Sequence, residues 1–271
     1  MGQLDGKVAF ITGAGRGQGR SHAVLLAEHG ADVIAVDIGQ DIPTVPYSLS
    51  TADDLAETAR LVEATGRRCV TALADVRDIV ALQKAFDHGV AELGGVDIVL
   101  ANAGVLHMTK EASIEEAAAN WGDAIGVMLT GVYNTMRVVY QTMIEQGRGG
   151  AIVITGSTAG LLAGTDGTGG STGYVAAKHG VVGIAKGFAK LLGSHSIRVN
   201  VVHPTAVDTH MINNPHMAHV SSSRLGQVRR TLPIDRLQPA EVSAAILYLV
   251  SDTGRAITGI GLPVDAGVSV A

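Results

Sequence analysis

The chain has 271 residues, 46% of them hydrophobic, and 20 basic against 25 acidic side chains leave a net charge of -5. That content supports a sizeable core in one domain, 1–271, and the charge balance excludes the basic footprint of a nucleic-acid binder. Cys69 is the single cysteine, which rules out an internal disulfide and suits a reducing cytoplasm. The opening residues are not expected to form a signal peptide, and no apolar run reaches the ~18 residues of a membrane span, so a cytoplasmic location is expected.

Lys7 to Thr12 reads as a buried strand, Val8 to Ile11 being continuous and apolar, followed by a helix over Gly17 to Gly30 with Ala23, Val24, Leu26 and Ala27 on its apolar side. Ala31 to Val36 is a second buried strand, closed by Asp37. Ile38 to Ser50 holds Pro43, Pro46 and Tyr47 with little periodicity and reads as an inserted loop. A helix then runs from Thr51 or Ala52 to Thr65, with Asp53 and Asp54 in its first turn, where carboxylates suit the helix dipole. Arg68 to Leu73 is a third strand, Asp78 to Leu93 a helix, and Val96 to Ala101 a fourth strand. A long helix is expected over Ile114 to Glu145, interrupted near Trp121-Gly122, with Trp121 as a packing anchor. Ala151 to Thr155, Thr172 to Leu192 and Ile197 to Val202 continue the alternation as strand, helix and strand. Thr205 to Thr231 shows no clean period and is a candidate substrate lid. Pro239 to Val250 is a short helix and Gly261 to Val264 a last strand. Continuous apolar strands alternating with helices argue for an α/β fold, a Rossmann-type doubly wound parallel sheet of about seven strands with helices on both faces.

Two patterns carry chemistry. The first is Thr12-Gly13-Ala14-Gly15-Arg16-Gly17-Gln18-Gly19, placed after a strand and opening a helix. Unpaired N–H groups and a positive dipole end make such a turn an anion site, and glycines let a pyrophosphate approach. Asp37 can accept hydrogen bonds from both ribose hydroxyls and would repel a 2′-phosphate, which favours NAD; Arg16 pulls toward NADP, and Ile38 offers no second cation.

The second pattern is Tyr174-Val175-Ala176-Ala177-Lys178, with Ser157 upstream at the end of a strand. Residues four apart share a helix face, so the ammonium of Lys178 is expected to lower the phenol pKa of Tyr174. Tyr174 can then exchange a proton with an alcohol or carbonyl oxygen that Ser157 orients. His203, His210, His216 and His219 match no closed metal-ligand set, so no metal is expected. Leu106, Met108, Leu161, Leu162 and Met211 are candidates for an apolar substrate pocket.

Together these marks resemble the short-chain dehydrogenase/reductase family over essentially the whole chain. The glycine loop, Asp75 after the third strand, Asn102-Ala103-Gly104 after the fourth, Ser157, the Tyr174–Lys178 pair, Asn200 before Pro204 and the ending Gly259 to Asp265 carry the resemblance. It implies Tyr174 as general acid/base, Lys178 on the nicotinamide ribose, and Ser157 on the substrate oxygen. It also implies a cofactor site built from Gly13, Arg16, Gly17, Gln18, Gly19, Asp37, Ile38, Asp75, Val76, Asn102, Ala103, Gly104, Tyr174, Lys178, Pro204, Thr205 and Val207. A homotetramer is implied as well.

The Gly17 to His22 run, Pro46-Tyr47 in the insertion, Asp54 to Thr58 and His203-Pro204-Thr205 look like the mycofactocin-associated, carveol dehydrogenase-like subgroup. That subgroup implies tightly held NAD, an external redox carrier and an insertion covering the adenosine end. Met128 stands where relatives place an asparagine that holds a water beside the lysine, and a thioether is a poor substitute. The leading expectation is an NAD-dependent oxidoreductase acting on a secondary, cyclic, apolar, terpenoid-like alcohol. The alternative is a dinucleotide-binding regulator or inactive homologue.

Overall fold

The computed structural model describes residues 2–162, 164–220 and 229–271, the side chains of 218–220 excepted. The part of the expected lid at 221–228 lies outside the described residues.

Seven strands, β1 (Val8–Thr12), β2 (Asp32–Asp37), β3 (Cys69–Leu73), β4 (Ile98–Ala101), β5 (Gly150–Thr155), β6 (Ile197–Pro204) and β7 (Gly261–Val264), form one sheet in the order β3-β2-β1-β4-β5-β6-β7. All six pairings are parallel, from Val8 opposite Asp32 to Val201 opposite Gly261. The helices are α1 (Gly17–Glu28), α2 (Ala52–Glu63), α3 (Ile79–Leu93), α4 (Ile114–Ile125), α5 (Gly131–Gln146), α6 (Gly169–Leu192), α7 (Pro215–Val220) and α8 (Pro239–Val250).

Alternate residues of a strand point to opposite faces. Val8 and Phe10 of β1 therefore enter the core under α3, α5 and α6, and Ala9 and Ile11 the core under α1 and α8. Phe10 meets Phe86 of α3 edge-on, centroids 5.2 Å apart. With both faces covered, the strands are the continuous apolar runs of the sequence. On α1, His22 takes a buried place beside Ala23, Leu26 and Ala27, while Val24 is half-buried.

Two boundaries differ from expectation for identifiable reasons. The long helix is interrupted at Gly126–Thr130 by a π-helical turn, not at Trp121-Gly122. Gly122 has open space beside it, whereas a Cβ on Gly131 would stand 2.5 Å from Val76, so the wide turn falls where α5 packs closely on the loop after β3. Trp121 is 41% exposed and anchors nothing in the core. Helix α6 begins three residues early because the Glu111 carboxylate accepts the Gly169 and Gly170 N–H groups, at 2.9 and 3.1 Å, and the Thr168 hydroxyl accepts that of Ser171. Such capping satisfies the orphan donors of a first turn. No helix among the described residues is long and apolar enough to cross a membrane.

The sheet order reverses between β1 and β4. Parallel sheets bind ligands in the crevice at the C-terminal strand ends where that reversal occurs, and the loops after β1 and β4 meet there.

Candidate functional site

A cavity of about 1310 Å³ opens at this crevice, and every residue that the sequence offers as a catalytic or cofactor-binding candidate lines it. Its volume exceeds the ~300–1,000 Å³ of ordinary ligand pockets, which is room for a dinucleotide and a second small molecule. Of the apolar candidates, Leu106, Met108, Leu162 and Met211 line it, and Leu161 does not.

The loop after β1 is built for close approach. Gly13 has φ +69°, a region costly for residues with a Cβ, and a Cβ there would lie 2.8 Å from Ala103 Cα. A Cβ on Gly19 would fall 1.9 Å from the Gly13 carbonyl oxygen. Helix α1 starts without a side-chain cap, so its first N–H groups remain available to an anion. Asn102 ties this loop to β4: its Nδ2 donates to the Thr12 and Gly13 carbonyls at 3.1 and 3.2 Å, and its Oδ1 accepts from the Thr155 hydroxyl. The Thr12 hydroxyl accepts the Asn102 N–H at 3.1 Å. Arg20 donates to the Gly15 carbonyl at 2.6 Å and to the Asp54 carbonyl at 2.8 Å, locking the loop to α2.

Asp37 is 7% exposed; it accepts the Gly15 N–H at 2.8 Å and the Ser50 hydroxyl. Arg16 donates to the Ser48 carbonyl, so this cation tethers the insertion. Asp75 is bonded to Arg77, whose guanidinium also reaches Asp123. The residues fit a dinucleotide with unsubstituted ribose hydroxyls: a glycine turn that Cβ atoms would fill, free helix N–H groups and a carboxylate at the end of β2.

At the other end of the cavity, Ser157 follows β5 and its hydroxyl accepts the Ala159 N–H at 3.1 Å. Its carbonyl accepts a bond from Nδ1 of the fully buried His203 at 2.8 Å. His203 thus fixes the backbone beneath Ser157, a role its sequence context did not announce. Tyr174 and Lys178 project from α6 into the cavity. Lys178 is 4% exposed, donates to the Thr155 carbonyl at 2.7 Å and stands 5.7 Å from the Tyr174 ring centroid.

Burial lowers Lys178 from 10.5 to about 8 and pushes the Tyr174 phenol up, with the Ser157 hydroxyl opposing the latter. The expected lowering of Tyr174 by Lys178 is therefore not met here. The ammonium is committed to Thr155 over the ring, and desolvation of the phenolate outweighs its influence. Met128 is 1% exposed in the cavity wall. Asn134 does not replace it: its amide donates to the Val76 carbonyl at 2.8 Å.

The insertion after β2 is anchored at both ends of the cavity. Besides Ser48 and Ser50, the Thr44 hydroxyl bonds His107 Nε2 at 3.0 Å and donates to Asp123 at 2.6 Å, and the Tyr47 hydroxyl accepts the Leu106 N–H at 3.0 Å. The insertion, expected to help cover the adenosine end, therefore also walls the cavity beside Leu106 and Tyr174.

Residues 13–269 match a family model described as enoyl-(acyl carrier protein) reductase. The chain is 48% identical to an uncharacterised oxidoreductase of Mycobacterium tuberculosis, over 97% of this chain and 96% of that protein. It is 43% identical to (-)-trans-carveol dehydrogenase of Rhodococcus erythropolis, with both chains fully covered. Among solved structures, a carveol dehydrogenase from Mycobacterium avium in complex with NAD superposes with a TM-score of 0.93 at 44% identity, again covering 100% of both chains.

Proposed function

The chain belongs to the short-chain dehydrogenase/reductase family, and on that premise we propose that it is an NAD-dependent oxidoreductase interconverting a cyclic, apolar, terpenoid-like secondary alcohol and its ketone. The carrying observation is one cavity that joins the glycine turn and Asp37 to Ser157, Tyr174 and Lys178. The similarity to two carveol dehydrogenases, one of them in complex with NAD, supports the substrate class and the cofactor.

Bound NAD would supply the hydride acceptor. The N–H groups opening α1, with Gly13, Arg16, Gly17, Gln18 and Gly19, hold the pyrophosphate. Asp37, beside Ile38, takes the adenosine ribose hydroxyls, and Asp75 with Val76 flanks the adenine. Asn102, Ala103 and Gly104 line the middle of the cleft, and Pro204, Thr205 and Val207 the nicotinamide side. Ser157 orients the substrate oxygen, Tyr174 exchanges its proton, and Lys178 holds the nicotinamide ribose. A phenol raised by burial is protonated at neutral pH. It is thus ready to donate to a ketone, and it accepts from an alcohol only once ionised, so oxidation gains as pH rises.

The insertion's ties to the glycine loop, Asp37 and the loop after β4 support a tightly held NAD, and the resemblance to the mycofactocin-associated subgroup implies an external redox carrier as the electron acceptor. Tyr133 on α5 and Leu191 on α6, 47% and 56% exposed, support association into a homotetramer through these helices. Met128 favours the second reading, a dinucleotide-binding regulator or inactive homologue, because it puts no polar group beside Lys178; the retained Ser157, Tyr174 and Lys178 argue against it.

The test is turnover of carveol by the purified protein, followed both by NADH release with added NAD and by bleaching of an electron-acceptor dye. Dye reduction without free NADH is the expected result. Accumulating NADH refutes the captive cofactor and retains the dehydrogenase; neither signal, across a panel of cyclic alcohols, refutes the activity.

A further inference from the structure

Tyr47 lies in the cavity wall with Leu106, Met108 and Tyr174, and its ring meets His210 at a centroid distance of 6.3 Å, steeply inclined. Its oxygen is positioned by the Leu106 N–H, and the Thr44–His107 bond holds the next residue of the same segment. A phenol that accepts from a backbone N–H still has its own proton to donate. Among the described residues no hydrogen bond takes up that proton. Burial and the nearby Tyr174 both hold Tyr47 above its ordinary pKa, so it stays a neutral donor.

We propose that Tyr47 is a specificity-determining residue that donates a hydrogen bond to a second oxygen of the substrate, so that within the largely apolar class of cyclic secondary alcohols those bearing one further carbonyl, ether or hydroxyl oxygen are preferred over equally shaped alcohols without it. This rests on the alcohol-oxidation reading. A pocket lined only by Leu106, Met108, Leu162 and Met211 would select for apolar shape. A fixed donor in that wall penalises analogues that leave it unpaired, and discrimination by unpaired buried polar groups exceeds that from a missing methylene. The donor reaches the pocket on the insertion, so the segment that spans the adenosine end also reads the substrate.

The test compares wild type and Tyr47→Phe on cyclohexanol and on a series of cyclohexanediols and methoxycyclohexanols. The readout is the ratio of kcat/KM for the best oxygenated alcohol to that for cyclohexanol. Loss of one neutral hydrogen bond should lower the ratio about 3- to 10-fold, mainly through KM. An unchanged ratio, with both substrates affected alike, overturns the assignment. Thr44→Val loosens the same insertion without touching the phenol; if it moves the ratio equally, the effect is closure of the insertion and the assignment is also overturned. Binding of the same alcohols to the NADH-loaded proteins, read by ligand-observed NMR, separates the two failures. Selective weakening in Tyr47→Phe without any turnover refutes the oxidation reading and supports the contact. Turnover without selectivity in either assay refutes the contact alone.

Discussion

Replacing Lys178 by methionine should stabilise the fold while disabling the site. The lysine is 4% exposed, and Thr155 is the one acceptor its ammonium has among the described residues, at 2.7 Å. Burial lowers its pKa from 10.5 to about 8. Each tenfold change in proton affinity is worth about 1.4 kcal/mol, so keeping this lysine charged costs about 3 kcal/mol at pH 7. The folded pKa lies below the unfolded one. Between about pH 8 and pH 10.5 the unfolded chain binds more protons, and stability rises with pH through that window. Below about pH 8 the penalty is present in full.

Methionine has no charge to desolvate but gives up the bond to Thr155, worth about 1.5 kcal/mol or somewhat more. The net expectation is a gain of about 1–2 kcal/mol at pH 7 that shrinks to nothing, or reverses, by pH 10. Urea unfolding of parent and variant at pH 7 and 10 reads the difference, and turnover should fall at least about 100-fold. A variant less stable than the parent at pH 7, or a difference that does not change with pH, would refute the buried-ammonium reasoning.

Tyr174→Phe should lower kcat/KM about 10²- to 10⁴-fold with NAD affinity retained by calorimetry, and the parent's oxidation rate should climb with pH above neutrality; surviving activity in the variant sinks the proton-transfer role. Asp37→Asn keeps a carbonyl oxygen as a possible acceptor for Ser50 but removes the charge, so use of NADP relative to NAD should rise about 10-fold or more, read from paired kcat/KM values. His22 is buried against Ser243, with Nδ1 2.7 Å from its hydroxyl, and burial lowers it from 6.5 to about 3. The unfolded chain therefore takes up a proton that the folded one refuses as pH falls below 6.5, and stability declines from there toward pH 3. His22→Gln should flatten that decline in chemical unfolding at pH 4 to 7; an unchanged slope assigns it to other groups.

The sequence by itself determined the sheet and the two ends of the site. Val8–Thr12 and Asp32–Asp37 are buried on both faces, so their apolar runs revealed them, and Pro239 opens α8 where capping chemistry is local. The glycine turn and the Tyr174–Lys178 pair are equally local, because a few consecutive residues set their geometry. What tertiary structure decided depends on residues far apart in the chain. Glu111 starts α6 from across a loop, Val76 confronts Gly131 at the π turn, and His203 supports Ser157 from another strand. Thr44 and Tyr47 of the insertion close onto His107 and Leu106. The directions of the Tyr174 and Lys178 shifts were likewise out of reach of spacing, because desolvation depends on how much of the folded protein surrounds a group, and only the assembled cavity sets that.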